Sequence, residues 1–226
     1  MLDFLPRLDY NKRAEMIGDA KDRGVRADFC IFFYPEVRSF LKFRELTDIL
    51  ECSPVIAAIH ECDFDDALQS PCEVLFHLQA NILSVAQRVE AAHNAGKKLF
   101  IHIDLATGIG KDKAGVEFLA RCGTDGIIST RGQLIRYGKE CGLMTVQRFF
   151  ALDSRGIDSI HELLDSTAPD LIELMPGVIG KIIRRFSGGS IPVIAGGLLE
   201  TKAEVTEAIS CGATAVSTSA KALWYI

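Results

Sequence analysis

The stretch IPVIAGGLLETKAEV, residues 191–205, begins as a short apolar run, ends that run in Gly196-Gly197, and restarts at Thr201. The run is β-branched and short enough to be a buried strand. Thr201 and Glu204 form a capping-box pattern, in which the Thr side chain accepts from one orphan helix amide while the Glu reaches back to another. A strand that leaves through bare backbone and enters a capped helix is one unit of an alternating β/α chain.

The unit recurs along the sequence. Apolar or β-branched runs stand at 55–59, 74–78, 99–104, 126–129, 145–149, 171–174, 193–195 and 214–217. Helical spacing fills the gaps, as in Ile82, Val85, Ala86 and Val89, in Val116, Leu119 and Ala120, and in Val205, Ala208 and Ile209. Ala95-Gly96, Cys122-Gly123, Cys141-Gly142 and Cys211-Gly212 each sit just before a strand, where glycine closes a helix in the left-handed conformation. Pro169 does the stopping before Leu171. Eight such repeats demand parallel strands with crossover helices. An open doubly wound sheet usually has fewer strands, so the expected fold is α/β, a compact (β/α)8 TIM-type barrel with short loops. The part of the chain from residue 41 is short against the ~250 residues typical of that fold, which leaves no room for an inserted lid.

Two segments follow from this reading. Residues 1–40 break the rhythm and form an N-terminal extension, either packed on the barrel or partly disordered, with an apolar patch at 29–34. Residues 41–226 are the barrel and its ligand-binding domain, entered by a short helix at 41–50.

Composition narrows the function classes. The net charge of −5 argues against a surface coated in positive charge to grip nucleic acid or membrane, though not against a local basic patch. The seven cysteines are odd in number and show no CxxC or Cys/His spacing, which reads as reduced thiols in a cytoplasmic protein with no metal site. No run reaches the ~18 apolar residues of a membrane span. The first 28 residues are studded with charge, unlike a secretory leader.

Barrel sites lie at the C-terminal ends of the strands, and phosphate commonly sits on the loops after strands seven and eight. Gly196 and Gly197 follow strand seven; Ser217, Thr218 and Ser219 follow strand eight, ahead of a helix expected at 220–224. Bare backbone, hydroxyls and a helix N-terminus together suit an anion. His102 and Asp104 are expected to alternate on strand three and share its inner face. Gln147 and Arg148 end strand five, and Glu173 lies on strand six before Pro176-Gly177. Asp, Gln and Glu can exchange hydrogen bonds with a polyol, and Arg148 can meet a phosphate. His77 and His102 read as satisfied interior histidines. No nucleophile–base pair is evident, so no catalytic residue is assigned. Arg131, Arg136 and Lys139 fall on the helix after strand four, and Lys181, Arg184 and Arg185 on the helix after strand six. Such groups form either a solvated surface or a phosphate-backbone footprint.

The runs GKKLFIHIDLATGIGKDKAGVEFLARCGTDGIISTRGQLI, GLMTVQRFFALDS, PDLIELMPGVIGKII and PVIAGGLLETKAEVTEAISCGATAVSTSAKALW resemble the glycerol uptake operon antiterminator regulatory proteins over residues 41–226. The resemblance implies a (β/α)8 barrel that needs no cofactor, takes glycerol 3-phosphate as effector, binds the mRNA leader of glycerol-utilisation genes and prevents premature termination. By motif, it carries the phosphate to Gly177, Gly196, Gly197, Ser217, Thr218 and Ser219, and the glycerol end to Asp104, Gln147 and Glu173, with Arg148 beside them. His60-Glu61 stands where similar proteins carry a basic residue followed by Asp, and the segment before residue 41 is additional. A local RNA surface on an acidic protein would be completed by a homodimer. Two other readings stay open: an enzyme on a small sugar or polyol phosphate, with Asp104 or Glu173 as general base, and a metabolite sensor acting on a protein partner.

Overall fold

A computed structural model describes residues 35–151 and 154–226. The chain enters through α1 (Pro35–Cys52), which contains the helix expected at 41–50 and extends it on both sides. The apolar patch at 29–34 lies outside the described residues. One compact unit, Thr47–Ile226, holds the barrel.

Its strands are β1 (Val55–Ile59), β2 (Val74–His77), β3 (Lys98–His102), β4 (Gly126–Ser129), β5 (Met144–Phe150), β6 (Leu171–Met175), β7 (Val193–Gly196) and β8 (Ala215–Thr218). They pair in that order, all parallel, and close when Val55, Ile56 and Ala57 of β1 register with Val216, Ser217 and Thr218 of β8. The outer layer is α2 (Phe64–Gln69), α3 (Val85–Asn94), α4 (Lys113–Arg121), α5 (Gly132–Glu140), α6 (Ser154–Thr167), α7 (Gly180–Phe186) and α8 (Lys202–Ser210). The segment after β8 is a short 3-10 turn, Lys221–Tyr225, and not the α-helix expected there. The anticipated helix dipole at Ser219 is correspondingly weak, because it scales with a run of aligned peptides.

The glycine stops act as expected: Gly96, Gly123, Gly142 and Gly212 all have positive φ. The strands are buried on both faces, as parallel strands under a helix layer must be. Leu75, Ile101, Ile127, Ile172 and Val216 face outward and share a core with Val89, Val116, Leu119 and Ile183 of the helices. The alternate residues point into the barrel, where the Phe76 and Phe100 rings lie 5.6 Å apart. Phe100 leaves no room for a side chain at Gly126, whose added Cβ would sit 2.3 Å from its ring.

At the N-terminal ends of the strands, loop carboxylates stitch neighbours together. Asp125, just before β4, accepts from the amide of Leu99 on β3 at 2.9 Å. Asp170, just before β6, accepts from the amide and hydroxyl of Thr145 on β5 at 2.8 and 2.7 Å. The buried Lys97 ammonium donates to the carbonyls of Ser70 and Cys72, both at 2.6 Å. The ring closure has its own clasp. Lys221 Nζ reaches Asp63 at 2.8 Å and Asp66 at 2.6 Å, while the buried Trp224 indole donates to the Thr218 carbonyl at 2.9 Å. Fully burying a side chain of this size contributes upward of about 2 kcal/mol.

Candidate ligand site at the barrel mouth

The C-terminal ends of β5 to β8 converge on one hydrogen-bonded chain. Arg148 on β5 and Glu173 on β6 stand opposite each other in register. Arg148 Nε donates to Glu173 Oε2 at 2.5 Å, and Ser217 Oγ on β8 donates to Glu173 Oε1 at 2.5 Å. Arg148 is 8% exposed and Glu173 1%, so the pair sits largely out of water. Gly196 of β7 fills the gap between them: a Cβ there would lie 2.5 Å from Glu173 Oε1 and 2.7 Å from Ser217 Oγ. The sequence reason for a glycine at the strand end is therefore this close approach. Among the described residues Glu173 is the sole hydrogen-bond partner of Arg148. The other two guanidinium nitrogens remain available, in the fixed fork that suits a phosphate.

The loops after β6 and β7 are locked together. The Met175–Pro176 bond is cis, and the Gly177 amide that follows donates to the carbonyls of Gly196 at 2.6 Å and Gly197 at 3.1 Å. The Gly177 amide is thus occupied in the scaffold. Gly197 has φ +76, and an added Cβ would strike Met175 Cε at 2.6 Å. Thr201 and Glu204 form the expected capping box at the start of α8.

Two residues expected in the mouth present their side chains elsewhere. Gln147 is buried on the helix side of β5: its Oε1 accepts from Thr167 Oγ1 of α6 at 2.5 Å, and its Nε2 approaches Gly132 of α5. The Thr218 hydroxyl donates to the Leu199 carbonyl at 2.8 Å and accepts from the Ala220 amide at 3.1 Å, on the outer side of β8. Both follow from pleating, since Arg148 and Ser217 take the inner positions and their chain neighbours must face out. Ser219 is exposed just beyond β8.

Asp104 departs from expectation in another way. β3 ends at His102, and Asp104 lies in a 3-10 turn, Ile103–Leu105. From there it accepts from Ser129 Oγ at 3.0 and 3.1 Å, Thr130 N at 2.7 Å and Thr130 Oγ1 at 3.1 Å, with Arg131 Nε at 3.6 Å. Asp104 ties the β3 exit to the β4 exit, a role that Ser129-Thr130 after a strand could have signalled. Lys111 bonds the Ala106 carbonyl on the same rim, and burial pushes its ammonium below the usual lysine range.

His102 shares the inner face of β3 with Phe100 and is 3% exposed. Its neighbours in the electrostatic sense are Arg148, Asp104 and Glu173. Burial first, and Arg148 second, hold its imidazole below the usual histidine range. Its Nδ1 is buried with no hydrogen-bond partner among the described residues. His77, by contrast, faces outward against the Phe64 ring, with Glu61 Oε2 3.2 Å from Nε2. Glu61 in turn accepts from Arg88 of α3 at 2.9 and 2.7 Å.

The six basic residues considered for RNA lie on α5 and its entry and on α7. Arg131, Arg136 and Lys139 are exposed, with Arg136 bonded to Gln133 and Lys139 to the Ala168 carbonyl. Lys181, Arg184 and Arg185 are exposed on α7, with Arg184 paired to Glu207 at 3.2 Å. The barrel order inserts α6, with exposed Glu162 and Asp165, between the two groups. The fold therefore does not join them into one basic face. Among the described residues, no three His, Cys, Asp or Glu side chains are grouped to hold a metal, and no helix is long and apolar enough to cross a membrane.

Comparison with known proteins accords with the barrel fold. The chain is 32% identical to the Escherichia coli (strain K12) protein YgcP over 182 residues, covering 79% of this chain and 95% of YgcP. The crystal structure of a glycerol uptake operon antiterminator regulatory protein from Listeria monocytogenes superposes with a TM-score of 0.72 at 36% identity, covering 75% of this chain and 94% of that one. A glycerol uptake operon antiterminator-related protein from Thermotoga maritima gives 0.69 at 31% identity, covering 76% and 98%. The family described as glycerol-3-phosphate responsive antiterminator matches residues 55–224, from the first residue of β1 to the buried Trp224, and the chain belongs to that family.

Proposed function

We propose that this protein is a cytoplasmic sensor of glycerol 3-phosphate that binds the mRNA leader of glycerol-utilisation genes and prevents premature termination. The observation that carries the reading is Arg148: a buried guanidinium, oriented through Nε by Glu173, with its remaining N–H groups uncommitted among the described residues. The phosphate sits against Arg148, Ser217, Ser219 and the backbone of Gly196 and Gly197. Glu173 orients Arg148 and Ser217, and Gly177 shapes the floor. The glycerol end extends toward the β3 and β4 exits held by Asp104.

The same geometry supports a regulator over an enzyme. Glu173 and Asp104 are the carboxylates that could serve as general base, and both already receive donors from the scaffold. A general base needs a lone pair directed at its substrate. The RNA surface is local, on the α5 or the α7 basic group, with a homodimer bringing two copies together.

Titration calorimetry with glycerol 3-phosphate, glycerol and inorganic phosphate tests the effector. Preferential binding of the phosphoester with no product formed supports the sensor, whereas turnover would turn the reading to an enzyme. Leader RNA binding should weaken steeply with salt as counterions are released. A flat salt profile would remove the RNA role.

A further inference from the structure

Besides the outer nitrogens of Arg148, the mouth holds a second polar group that the described scaffold leaves unused. Glu173 is occupied by Arg148 and Ser217, and Asp104 by Ser129 and Thr130. His102 alone among these side chains is buried at 3% exposure with a ring nitrogen that has no partner among the described residues. A buried polar atom without a partner is a standing cost in a folded protein. Where such an atom lines a ligand site, as His102 does and the outward-facing Gln147 does not, a ligand can complete the bond.

We propose that His102 is the specificity-determining contact for a hydroxyl group of the phosphorylated ligand. This rests on the phosphoester site read above at Arg148 and Ser217. Its inner position on β3 puts it in the field of Arg148, Glu173 and Asp104, on the side of the mouth away from β7 and β8. With the phosphate on β7 and β8, the carbon chain must extend across toward it. A neutral imidazole carries one donor and one acceptor, the same pair an alcohol offers in return. The burial that keeps the ring neutral therefore matches it to a hydroxyl, whereas a second anion-binding cation would serve phosphate alone. The chemical class selected is a small phosphoester that carries hydroxyls, as against inorganic phosphate or an alkyl phosphate of the same length.

The test compares glycerol 3-phosphate with n-propyl phosphate, which has the phosphate and chain but no hydroxyls, by calorimetry on the full chain. Wild type should prefer glycerol 3-phosphate. His102→Leu should lower that affinity at least tenfold, to the level of n-propyl phosphate, and leave n-propyl phosphate affinity within twofold. His102→Gln should recover part of the preference, because an amide also donates and accepts. Imidazole NMR of His102 in the wild type should shift with glycerol 3-phosphate and stay still with n-propyl phosphate, which keeps the test open if His102→Leu does not fold. A preference intact in His102→Leu, an equal loss of both ligands, or a silent imidazole overturns the inference while leaving the phosphoester site standing. Wild type that binds neither ligand overturns the phosphoester site and this inference with it.

Discussion

Arg148 and Glu173 occupy registered positions on adjacent strands and meet at 2.5 Å inside the barrel, largely out of water. Removing one member leaves the other as an uncompensated buried charge. Glu173→Ala should cost about 3–5 kcal/mol in urea denaturation, the range for breaking buried pairs. Inorganic phosphate should restore part of that loss by meeting Arg148. A cost under about 1 kcal/mol would mean that the guanidinium has swung out to solvent, against the geometry described.

Gly177→Ala attacks backbone. The new Cβ would sit 2.8 Å from the Gly196 amide nitrogen and 2.9 Å from the Ala195 carbonyl carbon, and neither can rotate aside. Overpacking of this kind costs about 1–3 kcal/mol. Because the displaced strand carries Gly196 and Gly197, phosphoester affinity should drop together with stability. Thermal denaturation and calorimetry on the same sample would show whether the two move together.

Gln147→Met makes the opposite case. The side chain lies between β5 and the helices, and its amide nitrogen is already without a partner. The single Thr167 hydroxyl proton can then turn wholly to the Leu163 carbonyl, 2.8 Å away. The swap should change stability by no more than about 1.5 kcal/mol, with ligand affinity unchanged within twofold. A tenfold loss of affinity would return Gln147 to the mouth.

Acid should destabilise the barrel through His77 and His102. Burial holds both imidazoles below the usual value of 6.5. Between that value and the lower folded one, the unfolded chain binds protons that the folded chain does not, so stability falls as pH drops. Above 6.5 both states are neutral and these residues add no slope. Urea midpoints should therefore be level from pH 8 to 7 and decline below about 6.5. Replacing both histidines with Gln should flatten that decline. Asp63 acts in a separate, more acidic window, because Lys221 holds its carboxyl below 3.8.

The barrel was legible because its punctuation is local. A glycine that must take positive φ, a capping box and a β-branched run are each readable within a few residues, and they repeat. The site was legible only to the level of strand ends. Gln147-Arg148 and Ser217-Thr218 are adjacent pairs, and on an extended strand one of each pair must face the helices. Which one faces inward depends on Glu173 across the strand pair, a partner distant in sequence. The sequence alone continues the alternation of β3 to Asp104, yet the chain turns after His102, so the carboxylate swings to the β4 exit. From sequence alone His102 is a satisfied interior group. Its missing partner is a property of the assembled mouth and leaves no trace in the residues beside it.

Ring closure has a consequence for how the protein is made. Among the described strands β1 is synthesised first, and one of its edges is paired by β8, the last of them. The Lys221 clasp to Asp63 and Asp66 is later still. Until β8 emerges from the ribosome, the nascent chain carries an open strand edge, the kind of template on which other chains pair and aggregate. Translation pauses within the final helix should therefore be hazardous to yield, and chaperone demand should peak just before the last strand appears.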